Sequence, residues 1–178
     1  MNRKLFKSIR EYKRESILAP VFVILEVLME VLIPLQMAKI IDVGIQNGDL
    51  TYIMKMGAIL VVMAMLALFF GAMAGKFAAV AAAGYAKNLR HDIFYKIQDF
   101  SFKNIDHFPT SSLVTRLTTD ITNVQLAYMM SVRLLARAPI MIILSLVMIL
   151  TINVEISVAL LILIPILGGI LMFIAKKA

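Results

Sequence analysis

One polar stretch, from Lys87 to Asn123, interrupts the apolar runs of this chain and limits what the rest can fold into. It carries basic, acidic and hydroxyl side chains at a density that hydrocarbon does not accept. Most of it nonetheless reads as helix. Asp92 with Lys96, Asp99 with Lys103 and Arg116 with Asp120 are opposite charges four residues apart, the spacing that sets partners on one helical face. Turn chemistry is confined to the middle, Asn104 to Ser112, where Asn104, Asp106 and Pro109 precede three hydroxyl residues in a row. The pattern predicts two helices that leave a membrane on one side and meet at a short tip.

The lengths agree with a protruding hairpin. A helix from Gly57 to about Asp99 would be roughly 65 Å long, more than twice the ~30 Å hydrocarbon core. The returning helix, Leu113 to Leu150, overshoots the core by about 25 Å. Ordinary membrane loops are short and lack sustained helical pairing, so a merely solvated loop explains this stretch less well.

That a membrane is involved follows from composition. The mean hydropathy is +0.91. Hydrophobic residues make up 61% of the 178 and charged residues 16%, against about half and a quarter in soluble domains. The formal charge of +7 does not point to nucleic acid, and no nucleic-acid partner is expected. The basic residues gather at Arg3–Arg14, Lys87–Lys103 and Lys176-Lys177, flanking apolar runs in the positive-inside pattern. The absence of Cys excludes disulfides and thiolate metal sites. His91 and His107 stand apart without a ligand cluster, so no metal site is expected.

In chain order, residues 1–16 alternate basic and apolar positions and predict an amphipathic helix on the inner membrane surface. Four spans follow, at about 17–41, 54–86, 133–152 and 156–175, with the hairpin at 87–132 and an outer turn at Asn47-Gly48-Asp49. Four crossings put both termini on the basic, cytoplasmic side of a multi-pass cell-membrane protein. Along the second span Ala67, Gly71, Gly75, Ala79 and Ala83 recur every four residues, a small-residue stripe that lets another backbone approach.

Ionisable residues inside the spans mark the chemistry worth following. Glu26 and Glu30 share one face of the first helix, and Lys76, Arg133 and Arg137 lie on the inner halves of theirs. By depth, Glu26 is within reach of Lys76 or Arg137. Two readings stay open: buried ion pairs that set helix register, or a polar patch on a substrate pathway that attracts cationic or amphipathic compounds. No catalytic constellation is present. Gly75-Lys76 is followed by Phe77 and lacks the preceding Gly, so the phosphate-cradling loop is missing and the chain itself is not expected to be an enzyme.

Three blocks resemble a known family. Ser111-Ser112-Leu113-Val114-Thr115-Arg116-Leu117-Thr118-Thr119-Asp120 is similar to the first cytoplasmic loop of ATP-binding-cassette (ABC) exporters of the multidrug type. Met37-Ala38-Lys39-Ile40-Ile41-Asp42-x-Gly44-Ile45 with Gly48-Asp49, and Arg137-Ala138-Pro139-Ile140, are similar to further blocks of its transmembrane domain. The resemblance implies an all-α membrane fold with long helices and a cytoplasmic hairpin, and the first 16 residues as an elbow helix. It implies a bacterial half-transporter of which residues 17–178 supply about four of six transmembrane helices, the nucleotide-binding domain lying elsewhere. ATP and Mg would belong to that domain, and no cofactor to this chain. The implied partners are the lipid bilayer, a nucleotide-binding domain, a second half-transporter and an amphipathic small-molecule substrate. The Ser-Ser-Leu form is similar to a subgroup that often works as heterodimers. The resemblance further implies that the tip, Asp106, His107, Phe108, Pro109, Thr110, Ser111 and Ser112, seats on the nucleotide-binding domain, with Arg116 and Asp120 stiffening the returning helix. A complete four-span scaffold or partner subunit without transport activity of its own is the other reading the residues leave open.

Overall fold

A computed structural model describes residues 8–98, 110–152, 163, 165–170 and 172–174. The chain divides into two compact units, Met1–Ala138 and Pro139–Ala178. In the first unit a 3-10 turn, Arg10–Tyr12, leads into α1, Lys13–Lys39, which ends in a π-helical segment, Ile40–Ile45. A tight turn follows, with Gly48 at φ +66, a left-handed conformation that glycine adopts without strain. Helix α2, Leu50–Gln98, then runs unbroken for 49 residues. Helix α3, Thr110–Thr115, and a π-helical segment, Arg116–Asp120, lead into α4, Ile121–Ile152, whose residues from Pro139 onward belong to the second unit. In that unit, residues 165–170 and 172–174 are also helical. The fold is all-α, with no strand among the described residues, and three helices are long and apolar enough to cross a membrane.

Helix α2 begins four residues before the expected Met54 because Asp49 caps it. The Asp49 carboxylate accepts the Tyr52 backbone N–H at 3.0 Å, satisfying one of the donors that a helix start leaves unpaired. Across the same turn Gly44 lies against Ile53, whose Cγ1 would be 2.6 Å from any Cβ placed there.

Helices α1 and α2 pack antiparallel along their length. Tyr12 faces Gly84, Phe22 stacks on Phe77 with ring centroids 5.4 Å apart, Glu26 faces Gly71, and Gly44 faces Ile53. The buried face of α1 is Ala19, Val23 and Val27. That of α2 is Ala74, Ala78, Ala81, Ala82, Tyr85, Ala86 and Leu89. This differs from the expected stripe, since Ala79 and Ala83 are exposed. Each four-residue step overshoots a full turn by about 40°, so a stripe kept strictly at fours winds off the packed face, whereas alternating threes and fours holds it. Large apolar side chains point outward: Leu68 and Leu135 are each 75% exposed while Ala74, Ala78, Ala81 and Ala82 are at 0%. Small residues in the seam and large ones outside suit a helix bundle surrounded by lipid, where close approach of backbones rather than water exclusion drives packing.

Where α2 leaves the expected second span, a different core takes over. Tyr85, Ala86, Leu89 and Ile121 form a buried cluster joined by Ile9, Ile93, Leu117 and Tyr128. It ties the outgoing helix, the returning helix and the N-terminal turn together. In contact with water, burying a side chain such as Ile121 stabilises by about 1.5–3 kcal/mol.

The N-terminal turn departs from the expected amphipathic helix over 1–16. Among the described residues, 8 and 9 form a turn, 10–12 a single 3-10 turn, and 13–16 already belong to α1. Polar contacts to α2 hold this shape and compete with a separate helix. Asp92 takes part in them, accepting from Ser8 Oγ at 2.8 Å and from Arg10, instead of pairing with Lys96 as its spacing suggested. An exposed four-apart pair contributes only about 0.3–0.5 kcal/mol, so a guanidinium and a buried hydroxyl outcompete it. Residues Asp99 and Lys103 and the expected tip from Asn104 to Pro109 lie outside the described residues.

Candidate functional site

Three of the charged residues expected in the spans meet between α1 and α4. Glu26 and Glu30 lie one helical turn apart on α1, and Arg137 of α4 reaches both. Its Nη2 donates to the two oxygens of Glu30 at 2.9 and 2.8 Å, while Nη1 stands 3.4 Å from Glu26 Oε1. The Glu26 side chain is 14% exposed, and its Oε2 is buried with no protein donor among the described residues. Gly71 makes room for it, since a Cβ at that position would lie 2.8 Å from Glu26 Oε1. One guanidinium thus serves two carboxylates, fully engaged with one and loosely with the other.

Lys76 and Arg133 are not brought into this cluster. Lys76 is exposed, and no ion pair forms at either residue among the described ones. Five positions after Gly71, Lys76 is turned about 140° around the helix from the residue that faces Glu26. Arg133 precedes Arg137 by one turn and is half-buried.

Where the N-terminal turn meets α2 the structure supplies a second constellation, which sequence reasoning missed. Ser8 and Asn88 are buried, at 4% and 5% exposure. Asn88 Nδ2 donates to the Ser8 carbonyl at 3.0 Å, and Asp92 takes the Ser8 hydroxyl and the Arg10 guanidinium. The Tyr12 ring lies directly over Gly84. Ser16 and Tyr128 share a hydrogen bond of 2.8 Å, and the Tyr128 ring stacks on Tyr85 at 4.6 Å. One signal was available: Asn88 falls on the apolar face of Ala81, Tyr85 and Leu89, where a polar side chain needs a partner. Next to this contact lies an open groove of about 630 Å³, with Ser16 and Pro20 on one side and Tyr128, Ser131, Val132 and Leu135 on the other.

Of the expected coupling residues, Thr110, Ser111 and Ser112 open α3, and Arg116 and Asp120 bound the π-helical segment. Thr118 and Thr122 fold their hydroxyls back onto the carbonyls of Val114 and Thr118, at 2.8 and 2.9 Å. Asp106, His107, Phe108 and Pro109 lie outside the described residues.

Comparison with known proteins bears on the chain as a whole. Residues 16–178 match the family described as ABC transporter transmembrane region. The chain is 34% identical over 175 residues to the uncharacterized ABC transporter ATP-binding protein YfiB of Bacillus subtilis (strain 168), covering 98% of the chain and 30% of that protein. It is 28% identical over 171 residues to the uncharacterized ABC transporter ATP-binding proteins MT1311 and Rv1273c, from two strains of Mycobacterium tuberculosis, covering 92% of the chain and 28% of each. The chain therefore spans less than a third of the curated relatives it matches. With three long apolar helices and this match over nearly its whole length, the chain belongs to the ABC transporter transmembrane region family, as a multi-pass membrane permease portion.

Proposed function

We propose that the chain works as the permease portion of an ATP-driven exporter of amphipathic small molecules, joined to a nucleotide-binding domain and to a second half-transporter. The N-terminus and the 87–132 hairpin are then cytoplasmic, and the 104–112 loop seats on the nucleotide-binding domain. The observation that carries this reading is the length of α2. Its 49 residues make a rod of about 73 Å, so roughly 40 Å stand beyond a ~30 Å hydrocarbon core. A rod of that length, braced at Tyr85, Leu89 and Ile121, is suited to carry motion between a soluble motor and the membrane. ATP with Mg does not fit the residues of this chain, which lack a phosphate-cradling loop around Gly75-Lys76-Phe77, and no step of hydrolysis is assigned to them.

The test is Phe108→Ala in the full-length transporter. Phe108 is the aromatic of the expected tip, suited to fill a pocket on a partner. Substrate stimulation of ATPase activity in purified, folded protein is expected to fall while nucleotide binding stays unchanged. Unaltered stimulation at normal folding would refute a coupling role for this residue.

A further inference from the structure

We infer that Arg137 is a two-position latch, seated on Glu30 in this structure and on Glu26 in a second state displaced by one helical turn along α1. The two carboxylates are spaced by the helical repeat and offer one guanidinium equivalent seats about 6 Å apart along the axis. They are not equally used. Glu30 receives two hydrogen bonds, whereas Glu26 has a 3.4 Å ion pair and a buried oxygen without a donor among the described residues. A buried carboxylate oxygen without a donor is unfavourable, and moving the guanidinium onto it relieves that state.

The packing around the latch allows the movement. Residues 121–138 of α4 run parallel to α1, with Tyr128 at Ser16 and Arg137 at Glu30. The groove of about 630 Å³ beside Ser16, Val132 and Leu135 leaves the two helices incompletely interlocked. Shifting Arg137 from Glu30 to Glu26 carries Val132 to the place Tyr128 now holds against Ser16. The shift gives up the Tyr85–Tyr128 stack, the Ser16 hydroxyl contact and the burial of Ile121 against Tyr85 and Leu89, which makes the Glu30 seat the resting one. One-turn displacements between packed elements are an established way to hold two discrete states. Gly71 belongs to the device, because its missing Cβ is what admits the Glu26 carboxylate.

The purpose of the latch rests on the transport reading, but its geometry does not, and the test separates them. The chain has no Cys, so single pairs can be introduced and cross-linked in membranes containing the full-length protein, in a background otherwise free of cysteine. Ser16→Cys with Tyr128→Cys reports the resting seat, and Ser16→Cys with Val132→Cys the displaced one. Glu30→Gln is expected to raise the yield of the second pair relative to the first by about ten-fold, equivalent to ~1.4 kcal/mol. Glu26→Gln lowers that ratio. Gly71→Ala, which changes no charge, lowers it too by crowding Glu26. An unchanged ratio in all three variants overturns the latch, as does a shift in the same direction for Glu26→Gln and Glu30→Gln. If Glu30→Gln does not reach the membrane, Gly71→Ala decides alone. Export unchanged while the cross-linking ratios behave as stated would count against a role in transport and leave the latch standing.

Discussion

Gly84→Ala should destabilise this protein although it places a better helix former inside α2. In an unhindered helix interior the exchange gains about 0.5–1 kcal/mol, because alanine loses less backbone freedom on folding. At position 84 the new methyl would overlap the ring of Tyr12, its three nearest neighbours being Tyr12 ring atoms that include Cγ, next to the backbone. The ring cannot swing away at its far end, so the 3-10 turn of residues 10–12 must move with it. Forcing a methyl into such a contact costs about 1–3 kcal/mol, which offsets the gain and leaves a net loss of up to ~2.5 kcal/mol. In a Tyr12→Ala background the obstruction is gone and the same exchange should stabilise by about 0.5–1 kcal/mol. The sign therefore reverses between backgrounds, and thermal unfolding of the purified membrane protein, run as a double-mutant cycle, reads it directly. An equal loss in both backgrounds, or a gain in the first, would refute the packing of Tyr12 on Gly84.

Other outcomes follow from the same contacts. Single cysteines at Asn47 and Asn104 should label with an impermeant reagent from opposite sides of the membrane, and labelling of Asn104 in intact cells would reverse the orientation. Asp92→Ala removes the acceptor for Ser8 and Arg10 and should cost about 1–3 kcal/mol, seen as faster protease cleavage before Lys13. Arg137→Gln leaves two carboxylates without a cation; because Glu30 and Arg137 are about one-third exposed, the loss should be nearer 1–3 kcal/mol than the 3–5 of a fully buried pair. Adding Glu26→Gln and Glu30→Gln should recover part of it, measured as folded yield in detergent.

What the sequence disclosed follows the range of the interactions involved. The long helices were legible because hydropathy and charge spacing act within a few residues, and α2 extends to Gln98, close to the expected Asp99. Counting residues into the membrane narrowed the partner of Glu26 to Lys76 or Arg137, and the structure places Arg137 there. Which side of α2 faces α1 was not legible. Two small-residue stripes run along the same helix, and only the partner surface of Ala19, Val23 and Val27 selects between them. The N-terminal contact escaped for a related reason: Ser8 is 80 residues from Asn88 and 84 from Asp92, and nothing local in either segment signals the other. Local spacing even offered Asp92 a wrong partner in Lys96, since a weak pair is visible from sequence and a stronger one made by folding is not.

The unbroken run of α2 has a mechanical consequence. A helix that spans the bilayer and continues for a comparable distance outside it is an arm with its fulcrum near the membrane surface. A rotation of a few degrees, small enough to leave side-chain packing within the bilayer unchanged, sweeps the far end through several ångströms. The ring stack of Tyr85 on Tyr128 braces the arm against the returning helix about 50 Å from its start at Leu50. Softening the arm by placing a proline between Leu89 and Gln98 would therefore leave both ends intact while uncoupling their motions.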